Sequence, residues 1–193
     1  GVVQYPEPTP SNPNFYTLFH LRLNRLAGRD ILFADASGEV FTQWAANAND
    51  ENVGAARWVS TNSSGFIFFV NCDLLEKLKA PAKSQILDVA YRLSNELKGR
   101  PIIIAWSKGD TFNNVPKELI SSLEEELQSL FPDHKSFKIS NHSFSSSDTL
   151  CHTNNIKVVD WLIGEIEAQH PPKLEFKKIE ITDDYFFITH EQR

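Results

Sequence analysis

The sequence predicts an α/β domain: a mainly parallel sheet with helices on both faces and one antiparallel hairpin at its start. Three observations predict it. Residues 66–72 and 101–106 are apolar almost throughout, as strands are when helices cover both their faces. Residues 82–97 and the segment opened by Pro116 carry apolar side chains at helical spacing. From residue 66 onward these patterns alternate, and repeated βα units join neighbouring strands in parallel.

Residues 4–14, with four prolines, form an extended entry that cannot be helical. Residues 15–23 alternate as a half-buried strand. Ala27-Gly28-Arg29 reads as a hairpin turn, and residues 30–34 as the antiparallel return strand. Residues 42–62 are polar and small, and read as a mobile loop with a short helix near residues 52–59. The strand at 66–72 follows. In the helix at 82–97, Ile86, Leu87, Ala90, Leu93 and Leu97 share a face, and Gly99 stops it. After the strand at 101–106, Pro116 opens a helix with Leu119, Ile120, Leu123, Leu127 and Leu130 on one face. Its acidic run, 124–126, reads as solvated. Residues 136–139 form a short strand, 140–148 a serine-rich loop, and 155–168 a last helix with Ile156, Val159, Trp161, Ile163 and Ile166 mostly inward. Pro171-Pro172 closes the domain. The division is therefore 1–170 for the domain and 171–193 for a tail that serves as an edge strand or a linker.

A chain of 193 residues, 41% hydrophobic and 23% charged, has the length and composition of one globular domain with a sizeable core. Its net charge is −6, and nucleic-acid binding needs a basic face, so nucleic acid is not an expected partner. The two cysteines, Cys72 and Cys151, stand in no zinc-type spacing. Cys72 ends an apolar run and reads as a buried free thiol. No apolar stretch of about 18 residues exists, so no membrane span is expected. Residues 1–6 have neither the basic nor the apolar region of a signal peptide. These features suit the cytoplasm. Gly1 at the start, with no methionine in the chain, fits either a processed chain or a piece of a longer one.

In open parallel sheets, ligands bind at the carboxyl ends of the strands. Three segments occupy such positions: Asp35-Ala36-Ser37-Gly38, Ser107-Lys108-Gly109-Asp110 and Ser140-Asn141-His142-Ser143. If they share one edge, they make one site. That requires Asp35 and Asp110 to emerge along a common rim, in strands flanking the one at 66–72. Each segment also has a plain reading. Asp35 can cap a turn, Lys108-Gly109-Asp110 can be a surface turn, and His142-Ser143 is loop. His134 and His152 read as surface residues.

Strand-D-x-x-G followed, one βα unit later, by strand-[NST]-K-x-D resembles the third and fourth motifs of the TRAFAC, Ras-like P-loop GTPases. Asp35 and Gly38 match the first, and Lys108 and Asp110 the second, with Ser107 where asparagine or threonine is usual. The resemblance covers roughly residues 9–168 and implies a three-layer, GTPase-like fold. Asp35-Ala36-Ser37-Gly38-Glu39 is also similar to the DxxGE form of GTPase-like domains in bacterial conflict and defence systems.

The resemblance implies GTP or GDP and Mg2+ as ligands. Asp35 would hold magnesium through water, a hard cation wanting oxygen. The Gly38 N–H would approach a γ-phosphate. The Asp110 carboxylate would accept from the guanine N1 and N2 donors, a pair adenine lacks. The Lys108 stem would lie over the base, and backbone N–H groups at Ser140 and Asn141 would meet the guanine O6. Thr9 is a candidate magnesium-sensing threonine. Glu39 occupies the place of the glutamine that orients the attacking water, and a carboxylate there argues against rapid intrinsic hydrolysis.

One part is missing. No G-x-x-x-x-G-K-[ST] occurs in the 193 residues. The first strand, phosphate loop and first helix would precede residue 1. The sequence therefore supports a guanine-nucleotide switch whose residues 5–14 and 39–62 respond to the γ-phosphate, with a protein effector or a chain supplying the P-loop as partner. The alternative is a degenerate interaction module on the same scaffold that binds no nucleotide and docks through Tyr185-Phe186-Phe187. An unrelated hydrolase is disfavoured by the absence of a Gly-x-Ser-x-Gly elbow.

Overall fold

A computed structural model describes residues 15–21, 29–141 and 148–169. The proline-rich entry with Thr9, the turn at 27–28, His142 and Ser143, and the tail from 170 lie outside the described residues.

Strands β1 (Phe15–Leu21) and β2 (Arg29–Asp35) pair antiparallel, Phe15 opposite Asp35 and Leu21 opposite Arg29. After β2 come helix α1 (Gly38–Ala46), a 3-10 turn (Glu51–Val53) and helix α2 (Gly54–Asn62). Strand β3 (Phe66–Asn71) runs directly into helix α3 (Cys72–Leu78), which is followed by α4 (Ala80–Leu97). Strand β4 (Ile102–Ser107), a 3-10 turn (Gly109–Asn114) and α5 (Lys117–Leu130) lead to β5 (Lys135–Lys138). One turn of π-helix (Thr149–Thr153) opens α6 (Asn154–Gln169).

The sheet order is β3-β4-β5, all parallel, with Phe66 beside Ile102 and Ala105 beside Phe137. Side chains of a strand alternate between faces. Ile102, Ile104 and Trp106 of β4 join a core with Phe66, Val70, Trp44, Ala90, Leu93 and Leu123 from β3, α1, α4 and α5. Ile103 and Ala105 face the other way, into a smaller core with Ile139 and with Val158 and Leu162 of α6. β4 is thus buried on both faces, which is why its sequence is continuously apolar. This is the expected three-layer arrangement, with helices on both sides of a parallel sheet.

Arg100 braces the amino end of this sheet. Its guanidinium donates to the carbonyls of Ser60 (2.7 Å), Ser63 (2.7 Å) and Leu97 (2.9 Å), and also to that of Glu96. It lies 4.9 Å from the centroid of the Phe66 ring. The ends of α2 and α4 and the start of β3 are joined through one side chain.

Four expectations are corrected. The segment 42–62 is not a mobile loop with one short helix: α1 and α2 fill most of it. Ser37 caps α1 by accepting from the Glu39 amide, and Val40 and Trp44, one turn apart, are buried. Helix α3, which the apolar run concealed, starts where the Asn71 side chain accepts from the amides of Asp73 and Leu74. In α6 the fully buried residues are Val158 and Leu162; Trp161 and Ile166 pack against them as expected, whereas Ile156 is 61% exposed. Finally, β2 does not flank β3. Among the described residues the hairpin is a two-stranded sheet of its own, and β3 is an edge strand.

Candidate functional site

Because β3, β4 and β5 are parallel, their carboxyl ends share one rim. The chain leaves that rim at Asn71-Cys72-Asp73, at Ser107-Lys108-Gly109-Asp110 and at Ile139-Ser140-Asn141. The last two are segments singled out from sequence, and the structure brings them into contact.

Ser107 pairs in register with Asn71, and its hydroxyl reaches the Val70 carbonyl at 3.4 Å. Lys108 then takes the left-handed conformation, φ 51°, and its carbonyl accepts from both the amide and the hydroxyl of Thr111, each at 2.9 Å. A non-glycine residue in this region costs on the order of 1 kcal/mol, and these two bonds offset it. Gly109 passes close against the end of β5. Its amide donates to the Ile139 carbonyl at 2.8 Å, and Ile139 in turn donates to the Trp106 carbonyl at 2.9 Å. A Cβ at position 109 would lie 3.0 Å from the Ile139 oxygen, so the glycine is required by close approach.

This packing sets Asp110 beside Ser140. The Ser140 hydroxyl donates to the Asp110 carboxylate at 3.3 Å, while Ser140 is only 2% exposed and Asp110 opens to solvent. Ser140 is itself held: Asn155 donates to its carbonyl at 3.2 Å, and its amide donates to the Leu150 carbonyl at 3.3 Å. Asp148 caps the turn below by accepting from the amides of Leu150 and Cys151. Under the loop, Phe112 stacks edge-on to Trp106, and the Lys138 ammonium sits 3.5 Å from the Phe112 centroid. Cys72 is wholly buried, and desolvation pushes its thiol up to about 11, against the opposing pull of Lys138.

Lys108 extends across the rim to Asp73, with its ammonium 3.1 Å from the carboxylate. Asp73 also pairs with Lys77 at 2.8 Å. Hydrogen bonds from Lys77 first and Lys108 second hold its carboxyl below the usual carboxylate range.

The other sequence candidates lie elsewhere. Asp35 ends β2, and Gly38 and Glu39 begin α1, all three exposed. Asp35 belongs to the hairpin and Gly38 and Glu39 to the start of α1, and no strand pairing joins them to the Ser107–Asp110 segment among the described residues. No cluster of three metal-ligating side chains occurs among the described residues. A cavity of about 530 Å³ between α5 and the β4–β5 face is lined by none of these residues.

Sequence reasoning missed Asp73, Asn155, Asp148 and the side-chain role of Ser140. Asp73 was within reach of the rule used for the others, since it follows the strand at 66–71. The remaining three depend on how the residue 140–155 connection closes, which carries no periodic signal.

A sequence profile of the Double-GTPase 2 family matches residues 2–162. The chain belongs to the Double-GTPase 2 family. That match spans most of the chain and takes in every site candidate, from Thr9 to Asn141. No curated protein matches the sequence. As a Double-GTPase 2 member, the chain is a GTPase-like domain. A carboxylate at the rim of a parallel sheet, steadied by a buried hydroxyl from the next strand, suits the nucleotide-binding theme of such a domain. No helix among the described residues is long and apolar enough to cross a membrane.

Proposed function

We propose that this domain is a guanine-nucleotide-binding switch, with GTP hydrolysis slow or dependent on a partner. The observation that carries the reading is the Asp110–Ser140 pair at the rim. The Asp110 carboxylate accepts one bond from Ser140 through Oδ1. Each carboxylate oxygen accepts more than one hydrogen bond, so capacity remains for a ligand with two adjacent N–H donors. Guanine has that pair at N1 and N2, whereas adenine presents an acceptor at N1. The Lys108 stem stands two residues away to cover a ring face. The Ser140 amide is engaged with Leu150, so contact with the guanine O6 falls to the Asn141 amide.

At the phosphate end, Asp35 with Thr9 would hold a magnesium ion, which when bound neutralises phosphate charge. Gly38 presents its amide, and Glu39 faces the water. The buried Trp44 and Val53 tie α1 and the turn before α2 into the core. Melting the whole 39–62 segment would forfeit that burial, so the responsive part is narrower, from Asp35 to the first turn of α1.

The P-loop comes from a segment outside residues 1–193, in a longer or two-part GTPase. The open outer edge of β3 supports this. Among the described residues no strand pairs with that edge, and Phe69, in mid-strand and on the face that α6 covers, is 59% exposed, so there is room for an added strand beside it.

Titration with a fluorescent GTP analogue, with and without magnesium and with ATP as competitor, tests the reading. Asp110→Asn exchanges an acceptor pair for a mixed one. It lowers GTP affinity by about 100-fold or more, the equivalent of two charged hydrogen bonds, and shifts preference toward xanthine nucleotides. Equal binding of GTP and ATP, or none, defeats it. The absence of a P-loop in the 193 residues favours the second reading, an interaction module that binds no nucleotide; the same titration separates the two.

A further inference from the structure

We infer that Asp73 is a positioning residue for base recognition, acting through Lys108. This rests on the guanine-binding reading above.

A lysine stem shields a ring only if it lies along it, and a half-exposed lysine is a poor shield unless its head is fixed. The Lys108 backbone is fixed: its left-handed φ and the two bonds from Thr111 set the direction of the Cα–Cβ bond. Ordering the rest of the side chain costs rotamer entropy, and the side chain is 50% exposed. What orders it is the Asp73 carboxylate at 3.1 Å. Asp73 is a suitable anchor because it is itself held at both its amide and its carboxylate. Its amide donates to the Asn71 side chain at 3.1 Å, Lys77 clamps its carboxylate at 2.8 Å, and its side chain is only 22% exposed. The pair stretches the Lys108 stem from the end of β4 toward the end of β3, along the rim that carries Asp110. The ligand such a stem serves is the flat face of a purine base. Asp73 does not touch that base. It holds the group that does.

The test is a double-mutant cycle in the full chain, read by titration with fluorescent GDP. Asp73→Asn keeps the size of the side chain and removes the anchor. Lys108→Met keeps the apolar stem and removes the head. An exposed ion pair of this kind is worth roughly a two- to five-fold change in binding, so each single variant weakens GDP binding by about that factor. The double variant is no weaker than Lys108→Met alone, because both changes remove one interaction. Asp73→Glu keeps the carboxylate and restores wild-type binding. Multiplying losses in the double variant, unchanged binding in Asp73→Asn, or no rescue by Asp73→Glu overturns the role of Asp73 while leaving the base site standing. A wild-type chain that binds no guanine nucleotide overturns both readings. Loss of affinity that follows a fall in thermal midpoint across the variants marks a structural role and overturns the proposal.

Discussion

Gly109→Ala separates a loop that merely turns from one that is wedged against its neighbour. The new Cβ would lie 3.0 Å from the Ile139 oxygen, 3.1 Å from the Ile139 nitrogen and 3.2 Å from the Lys138 Cβ. All three contacts are tighter than ordinary van der Waals distance, and none belongs to the free end of a side chain. Relief requires the 108–110 loop to move a few tenths of an ångström from β5, along the line of the 2.8 Å Gly109–Ile139 hydrogen bond. Overpacking of this kind costs about 1–3 kcal/mol, and weakening the bond adds up to about 1. Gly109 is not at positive φ, so alanine gains back about 0.4–1 kcal/mol by restricting the unfolded chain. The net loss is about 1–3 kcal/mol, or roughly 3–10 °C in midpoint for a domain of this size. Urea and thermal melts measure it. Gly164→Ala is the control: it is exposed in α6, a Cβ there meets nothing within 4 Å, and it stabilises by about 0.5–1 kcal/mol. If Gly109→Ala is tolerated as well as Gly164→Ala, the claim that β5 fixes the loop is wrong.

Arg100→Met retains the stem but removes the side-chain donors to the carbonyls of Ser60, Ser63 and Leu97, of which Leu97's keeps the residue 100 amide at 3.0 Å. It destabilises by about 2–4 kcal/mol in urea titration. Arg100→Lys recovers only part, since one ammonium cannot reach all three. The Cys72 thiol, pushed up to about 11 by burial, stays protonated in the folded chain while the unfolded chain ionises near the ordinary 9.0. Between those values the folded state binds more protons, so stability is level below about pH 9 and falls as pH rises toward 11. Urea midpoints at pH 8 and 10 detect the fall, which Cys72→Ala removes. The same burial makes Cys72 resist thiol reagents until unfolding, whereas the half-buried Cys151 reacts in the native state.

Much of the fold was legible because β3 and β4 carry runs that only a doubly covered strand carries, and because α4 and α5 keep their apolar periodicity. What was not legible has separate causes. Helix α1, Gly38–Ala46, buries only Val40 and Trp44, with Phe41 partly packed on the core, and its cap, Ser37, sits inside a motif that reads as a phosphate contact. Helix α3 begins at the last residue of an apolar run, so strand and helix merge in the sequence. The place of the hairpin was misjudged because pairing between distant strands leaves no trace in either strand alone. For the site, Ser107 to Asp110 could be found from position, since they follow a strand. That Ser140 meets Asp110 through its hydroxyl needs the coordinates of a connection fixed by Asp148 and Asn155.

On the proposed reading, the base end of the site is built independently of the phosphate end. Among the described residues, the bonds that brace Asp110 and Lys108 run within residues 70–155: Ser107 to Val70, Gly109 to Ile139, Ile139 to Trp106, Ser140 to Asp110, Asn155 to Ser140, Lys108 to Asp73. None involves the hairpin, α1 or α2. A cradle so braced keeps its shape whatever happens around Asp35 and Gly38. Recognition of the base then does not require the phosphates to be held first. A chain of this family could keep a formed guanine site while its phosphate loop is contributed from elsewhere, and the contribution would act on retention and hydrolysis more than on the choice of base. The consequence can be measured: changes at Asp35 or Gly38 leave the ratio of GTP to ATP affinity unaltered, whereas Asp110→Asn collapses it.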